Sequence, residues 1–522
     1  MSLGKSWSRR ATDLPIEIFC IICQEVRGKA DLLRLALVCQ DWSSFALNEL
    51  WRDMDDLKPL LKLVPHEVLV EQRGESKEST LAMDEGSSLN WTRLDQYRAR
   101  ILNLEYDLSI DKQRSAEYSA ISDVGLGLVL AALITPSIRR LRLDLNPDYS
   151  YYHIDYIEET TDQDLGKTLA TLPVTAPHLE CLFLGTFLPQ LSLDFLGRLR
   201  SLQHLDLSAI LMGETGVMKA DVFKCISSLT QLKRFDVVAW LETPDEVAGS
   251  WSAFPVLEEL SVGDSYLLTI AEIVGRISSD RMRVFELFDP HNQVHKDGNE
   301  DDITDVEELN AVCRALIPFS STLTKVDLDI EDFKDRGSPG GARILAAIRP
   351  LLELHQLEDI VLCPAFSSRK TQPPFIVKDE DTEPMALAWP RLKNLTLALN
   401  ILRPGITFQT LVTFSARCPC LCHLDFSYLN ALDLPLLSAI PETGHKLEAL
   451  GITDLEIQNL QSFVIRLDRL FPHLKTEEMD TPHYQSLPQD VLQALGSVAG
   501  ERRRAAWEDE MLDLLLRQDI FA

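Results

Sequence analysis

Residues 177–184 read PHLECLFL, and their apolar spacing points to one kind of fold. Leu182 and Leu184 alternate with polar or outward positions at the period of a half-buried strand, and Leu179 precedes them by one turn. Pro177 cannot continue a helix and biases the residue before it toward extended backbone, so it ends one element and feeds the next. The same spacing, an apolar residue followed by others three and five positions on, returns along the chain. It recurs as Ile138-Leu141-Leu143, Leu202-Leu205-Leu207, Leu232-Phe235-Val237, Leu257-Leu260-Val262 and Met282-Phe285-Leu287. It continues as Leu323-Val326-Leu328, Leu357-Ile360-Leu362, Leu392-Leu395-Leu397, Leu421-Leu424-Phe426 and Leu447-Leu450-Ile452. Leu102-Leu104 reads as a degenerate first copy and PHL at 472–474 as a fading last one. At 45% hydrophobic residues a single match arises by chance in roughly one window in eleven, so the persistence of the series carries the inference. Proline announces further copies in PVLEEL (255–260), PRLKNL (390–395) and PCLCHL (419–424).

Helix-like stretches such as KADVFKCISSL and GGARILAAIRPLLEL lie between the copies, so each unit reads strand, turn, helix. A unit buries about three large side chains in its strand, worth roughly 1.5–3 kcal/mol each. Ordering roughly 25 residues costs on the order of 1–2 kcal/mol apiece. No unit stands alone, and stacking on neighbours has to supply the difference. The pattern resembles irregular leucine-rich repeats, which implies an α/β solenoid, a leucine-rich-repeat horseshoe. The regular C-x-L or N-x-L step is absent, so the repeat boundaries stay open. The helical C-terminus, with Val491, Leu492, Leu495, Val498, Trp507, Met511, Leu514 and Leu515 at helical spacing, suits a cap.

Upstream, residues 14–51 read LPIEIFCIICQEVRGKADLLRLALVCQDWSSFALNELW. Pro15 suits a helix start and Glu17 the positive helix end. Ile18, Phe19 and Ile22 give a helical stripe, Gly28 breaks it, Asp31 caps a second helix, and Trp42, Phe45 and Ala46 mark a third. So short a module carries more Leu, Ile and Trp than it can bury and needs a partner surface. The stretch resembles an F-box, on Leu14-Pro15, Glu17-Ile18, Ile22, Asp31 to Leu35, Val38-Cys39, Trp42 and Leu50-Trp51. That resemblance implies docking to a Skp-type adaptor, with Leu14, Pro15, Ile18, Leu32, Leu33, Leu35, Val38, Trp42 and Trp51 forming or supporting the surface. An F-box ahead of irregular repeats, with a helix leading to RILNLEY, resembles the arrangement of many fungal F-box proteins. The alternative is an N-terminal helical cap of the solenoid.

The expected organisation is an N-terminal disordered arm (1–12), an F-box (13–53), a helical linker (54–98) with a flexible loop over 71–90, irregular repeats (99–475) and a helical cap (476–522). A formal charge of −29 argues against nucleic acid and anionic membrane as partners. The acidic runs at 155–164, 297–308 and 378–384 read as solvated loops. No apolar run spans a bilayer and no signal segment opens the chain, so a soluble protein of the cytoplasm and/or nucleus, with reduced cysteines, is expected.

Gly166-Lys167-Thr168 lacks the upstream glycine of a phosphate loop, and Asn292 stands between His291 and His295 where a zinc protease needs glutamate. Cys418, Cys420, Cys422 and His423 overlap one repeat motif, whose leucines explain them, and Cys20-x-x-Cys23 sits among isoleucines in a helix. Arg502-Arg503-Arg504 reads as a solvated helix face. The expectation is therefore a non-catalytic chain with no metal and no cofactor.

The resemblance implies the substrate-recognition subunit of an SCF-type ubiquitin ligase, joined to a cullin through the adaptor. The alternative is a leucine-rich-repeat binding or scaffold protein acting outside a ligase. Asp206, Asp236, Glu286, Asp327 and Asp425 fall between the second and third motif positions. They are expected on the solvent face of the concave sheet, where they would make it negative and favour a target with a basic segment.

Overall fold

The eleven complete copies of the spacing motif have their apolar residues buried, and within each of the chain's two units their strands pair in parallel; PHL at 472–474 is no further copy, since it forms no strand and leaves Leu474 half-buried. The computed structural model describes residues 15–61, 63, 69–73, 79–83, 92–107, 123–144, 162–185, 192–208, 217–218, 220–238, 240–241, 253–263, 266–288, 306–329, 344–363, 377–397, 405–442, 444–475 and 487–518. The chain divides into two units, Met1–Glu242 with Ala253–Pro255 and Thr243–Ser252 with Val256–Ala522.

The first unit opens with three helices, α1 (Ile16–Glu25), α2 (Lys29–Ala36) and α3 (Gln40–Arg52). Pro15 is the N-cap of α1 and not its first helical residue, and Gly28 caps α2, which places Asp31 inside its first turn. Helix α3 runs straight into β1 (Asp53–Met54), the first strand of a parallel sheet. Next along the sheet lie β4 (Asn103–Asp107), β5 (Arg140–Asp144), β6 (Cys181–Gly185), β7 (His204–Leu207) and β9 (Arg234–Val238). Between them in sequence, β8 (Val217–Met218) pairs in parallel with β10 (Trp240–Leu241).

The flexible loop expected over 71–90 is partly a hairpin, in which β2 (Leu69–Arg73) pairs antiparallel with β3 (Ser79–Met83). Leu69 stands opposite Met83 and Val70 opposite Ala82, apolar pairs that the surrounding Ser, Gly and charge obscure in a composition reading. The first repeat copy is also shifted by one residue: Ile101, Leu104 and Tyr106 are the buried triplet, a complete copy with an aromatic third position.

The second unit carries β11 (Glu259–Gly263), β12 (Val284–Phe288), β13 (Lys325–Asp329), β14 (Asp359–Cys363), β15 (Asn394–Leu397), β16 (His423–Ala431) and β17 (Ala449–Ile457), paired in parallel in that order. Helices return the chain between strands, as parallel pairing requires. Each unit is thus a stretch of α/β solenoid of leucine-rich-repeat type.

Proline before the motif acts through a turn. The amides of Ile138, Leu179, Leu392 and Leu421 donate to the carbonyls three residues back, of Thr135, Ala176, Trp389 and Cys418, at 3.1–3.2 Å. Pro136, Pro177, Pro390 and Pro419 occupy the second turn position, where a φ near −65° is already set. Each turn therefore delivers the first motif residue to the core.

The acidic runs are corrected where they are described. Residues 155–161 and 297–305 lie outside the described residues, but helices begin at Asp162 and Val306, and 379–384 form the first turns of helix Asp379–Ala388. Glu307 and Glu308 in one first turn, and Asp379, Glu380 and Asp381 in another, complement the positive helix end. Asp379 also accepts from the Thr407 amide (2.8 Å), Thr407 Oγ1 (2.7 Å) and Thr410 Oγ1 (2.7 Å) of the following repeat. Arg502 is not on a solvated face: it pairs with Asp468 at 2.8 Å and ties the C-terminal helix Gln489–Gln518 to helix Leu460–Leu470. The arm at 1–12 and His291 to His295 lie outside the described residues.

Candidate functional site

Packing of α1–α3 separates the predicted docking residues into two groups. Cys23, Leu32, Ala36 and Ala46 form the buried core, with Val26, Leu35, Phe45, Leu47 and Leu50 packed on it. Phe19 joins through an edge-on contact with Trp42 at 4.7 Å between ring centroids. Cys23 packs in that core, and burial raises its thiol, with Glu49 and Cys20 adding to the effect. Trp51 leaves the module and lies 4.8 Å from the Tyr97 ring of the linker helix. Leu32 is therefore core, and Leu35, Trp42 and Trp51 are half-buried supports.

Of the predicted surface, Pro15, Ile18, Leu33 and Val38 are exposed, Val38 by 66%. Leu14 lies outside the described residues. Three more apolar side chains join them that the sequence reading passed over: Ile16, Ile21 and Leu37, the last 79% exposed. Their signal was present, because Ile18 and Ile21 are three apart and Leu33 and Leu37 four apart, each pair on one helix face. Six large aliphatic side chains held in water on α1, on α2 and on the two residues after α2 are unusual where single exposed leucines are not. Burying each on a partner would contribute up to about 1.5–3 kcal/mol.

The second candidate surface is the outer face of the ladder, opposite the buried leucines. Within the first unit Asp206 pairs with Asp236, and within the second Glu286 pairs with Asp327. The face is not uniformly negative. In the first unit the acids are interleaved with Arg140, Arg142, His204 and Arg234; Arg234 Nε holds Asp236 at 2.7 Å, and Arg142 lies over the Phe183 ring at 3.8 Å. In the second unit Glu259, Glu286, Asp327, Asp359 and Asp425 share the face with Lys325 and His423, and Lys325 stands opposite Asp359. Lys325 holds Glu286 at 2.6 Å and Asp327 at 3.8 Å, and Ser261 also donates to Glu286. Nor do all five acids reach solvent, since Asp236 is 5% and Asp425 3% exposed. Strands under 5 Å apart let long neighbours such as Arg234 cover the shorter side chains between them. Asp206, which accepts from the Ser208 amide and hydroxyl, is half-buried like Glu286 and Asp327.

The other chemical near-misses are absorbed by the fold. Gly166-Lys167-Thr168 lies inside helix Asp162–Thr175, where Thr168 donates to the Gly127 carbonyl. Cys418 is buried against the Ala386 and Trp389 carbonyls while Cys420 is exposed, so these sulfurs point apart. Among the described residues no helix is long and apolar enough to cross a membrane.

Residues 11–56 match the F-box-like family model. F-box domains generally bind Skp-type adaptors. No curated protein matches the chain. Solved structures similar to it include a chain of the LRIM1/APL1C complex, at 16% identity and TM-score 0.29, over 68% of this chain and 67% of that one. A chain of the Toll–Spatzle complex of Drosophila is 13% identical with TM-score 0.33, over 70% of this chain and 39% of that one. An internalin (inlF) from Listeria monocytogenes is 12% identical with TM-score 0.30, over 67% of this chain and 94% of that one. An F-box-like stretch therefore precedes the ladder of parallel strands and returning helices, and F-box and leucine-rich-repeat families are typically non-catalytic adaptors.

Proposed function

We propose that the chain docks a Skp-type adaptor with α1 and α2 and holds a target protein on the outer face of its ladder. It would thereby serve as a substrate-receptor subunit of an SCF-type ubiquitin ligase, reaching a cullin through the adaptor, in the cytoplasm and/or nucleus. The observation that carries this reading is the exposure of Ile16, Ile18, Ile21, Leu33, Leu37 and Val38 within the stretch that matches the F-box-like model. The chain performs no bond chemistry in this role; it raises the effective concentration of target lysines near a ubiquitin-conjugating enzyme. A basic target segment fits best along β12 and β13, where it would compete with Lys325 for Glu286 and Asp327.

Co-expression with a Skp-type adaptor tests the proposal. The wild-type chain should co-purify with it, and Ile18→Asp combined with Leu37→Asp should abolish that while leaving the circular dichroism spectrum unchanged. Folded wild-type chain that retains no adaptor would overturn the reading in favour of a leucine-rich-repeat scaffold outside a ligase.

A further inference from the structure

The first unit contains a cavity of about 350 Å³ on the outer face of its sheet. That volume lies in the range of small-ligand sites. Parallel register builds its floor. Asn103, Arg140, Cys181 and His204 are cross-strand neighbours on β4, β5, β6 and β7, alternating with the buried Leu104, Leu141, Leu182 and Leu205. Cys181 Sγ lies 3.5 Å from His204 Nδ1 and is half-buried, so the sulfur has both a partner and an opening. Arg52 and Arg139 add guanidinium groups to the lining and Glu180 a carboxylate. The Arg52 Nε is buried and finds no hydrogen-bond acceptor among the described residues.

We propose that Cys181 is a nucleophilic thiol that takes up a small carboxylate-bearing thiol of the glutathione class as a mixed disulfide. Cations around a cysteine favour the thiolate, the form that attacks. Burial on its own would raise the Cys181 thiol, but hydrogen bonds from His204 and Arg140 and their charges outweigh it and hold the thiol below its ordinary value. The hydrogen bond to Cys181 in turn raises His204, and Arg140 is raised by the same sulfur. Arg234 beside His204 is a further cation, while Asp53 and Glu180 are the carboxylates acting on Arg140. The Cys181 thiolate attacks one sulfur of glutathione disulfide, the bond between the two glutathione sulfurs breaks, and the new disulfide forms on Cys181. The departing thiolate takes its proton from the His204 imidazolium; Cys181 is oxidised and the leaving sulfur reduced. Arg52 and Arg139 suit the carboxylates of the retained glutathione and Glu180 its ammonium.

The full-length protein treated with glutathione disulfide at neutral pH should gain one adduct, located at Cys181 by peptide mass mapping and reversed by a reductant. Cys181→Ser should lose it, and His204→Gln should slow it about tenfold. Alkylation supplies an independent reading of the surrounding charge. Iodoacetate, an anion, should gain at least about fivefold over neutral iodoacetamide at Cys181 relative to the same ratio at the exposed Cys420. Alkylation of Cys181 no faster than that of Cys420, or without preference for the anion, would overturn the proposal. Fast alkylation with no glutathione adduct would overturn it too, because the cavity would then not admit the disulfide.

Discussion

The amide of Leu102 donates to the carbonyl of Arg52 across 3.0 Å. The same step climbs the first unit: Arg139 to Leu102, Glu180 to Arg139, Gln203 to Glu180 and Lys233 to Gln203, each at 2.7 Å. The last residue of α3 is therefore the first rung of the ladder, and the helical module is joined to the repeats by backbone pairing as well as by chain connection. A docked adaptor would consequently be held in fixed register with the first strands.

Leu102→Pro removes that rung's donor and leaves the Arg52 carbonyl without its partner. The expected cost is about 1–3 kcal/mol, read as a lower midpoint in thermal unfolding and faster amide exchange over 103–107. Leu102→Ala keeps the amide and should retain most of the protection. Equal loss in both variants would mean that the side chain, and not the rung, matters.

Leu32 and Leu37 should separate folding from docking. Leu32→Ala opens a cavity in a very small core and should destabilise the module by about 2–5 kcal/mol. Leu37→Asp lies on an exposed face and should change stability by under about 0.5 kcal/mol, yet remove adaptor co-purification. Thermal melts beside the pull-down distinguish the two.

Gly263 ends β11 opposite Phe288, and a Cβ there would stand 2.6 Å from the Phe288 carbonyl oxygen. Alanine in a strand interior usually gains about 0.5–1 kcal/mol over glycine. At this position the close approach reverses the sign, and Gly263→Ala should lose about 1–3 kcal/mol in urea unfolding. A stabilised variant would show that the two backbones can separate freely.

His445 is buried, donates through Nε2 to the Cys418 carbonyl at 2.8 Å and accepts the Leu447 amide at Nδ1. Both ring nitrogens are committed to the neutral tautomer. Burial lowers its proton affinity, partly opposed by the Cys418 hydrogen bond. The unfolded chain therefore binds a proton first as pH falls below about 6.5. Stability should be intact above that pH and decline on acidification, by at most about 1.4 kcal/mol per pH unit for one proton. His445→Gln should be less stable at neutral pH and flatten the dependence between pH 7 and 5.

The repeat series, the helical C-terminus and the three N-terminal helices were legible in the sequence because burial imposes a period on side chains, and every unit repeats the same local solution. Spacing also put Asp206 and Asp236 on one face of their strands, and Glu286, Asp327 and Asp425 on one face of theirs, since alternation along a strand is a local property. What those acids meet was not legible. Arg234 and Lys325 reach them through register between strands, and Leu32 and Leu33 differ only in which side of α2 another helix covers. The Ile101 copy was masked by an equally apolar neighbour, and Asp379 is held by threonines 28 and 31 residues on. Cys181 and His204, 23 residues apart, become partners only when β6 and β7 align. Periodicity, turn chemistry and the apolar excess of the first helices are written in the sequence, because these arise from neighbours in the chain. Tertiary structure decided which charges pair, which leucines remain in water and which cysteine acquires a cationic cavity, because those depend on residues brought together by strand register.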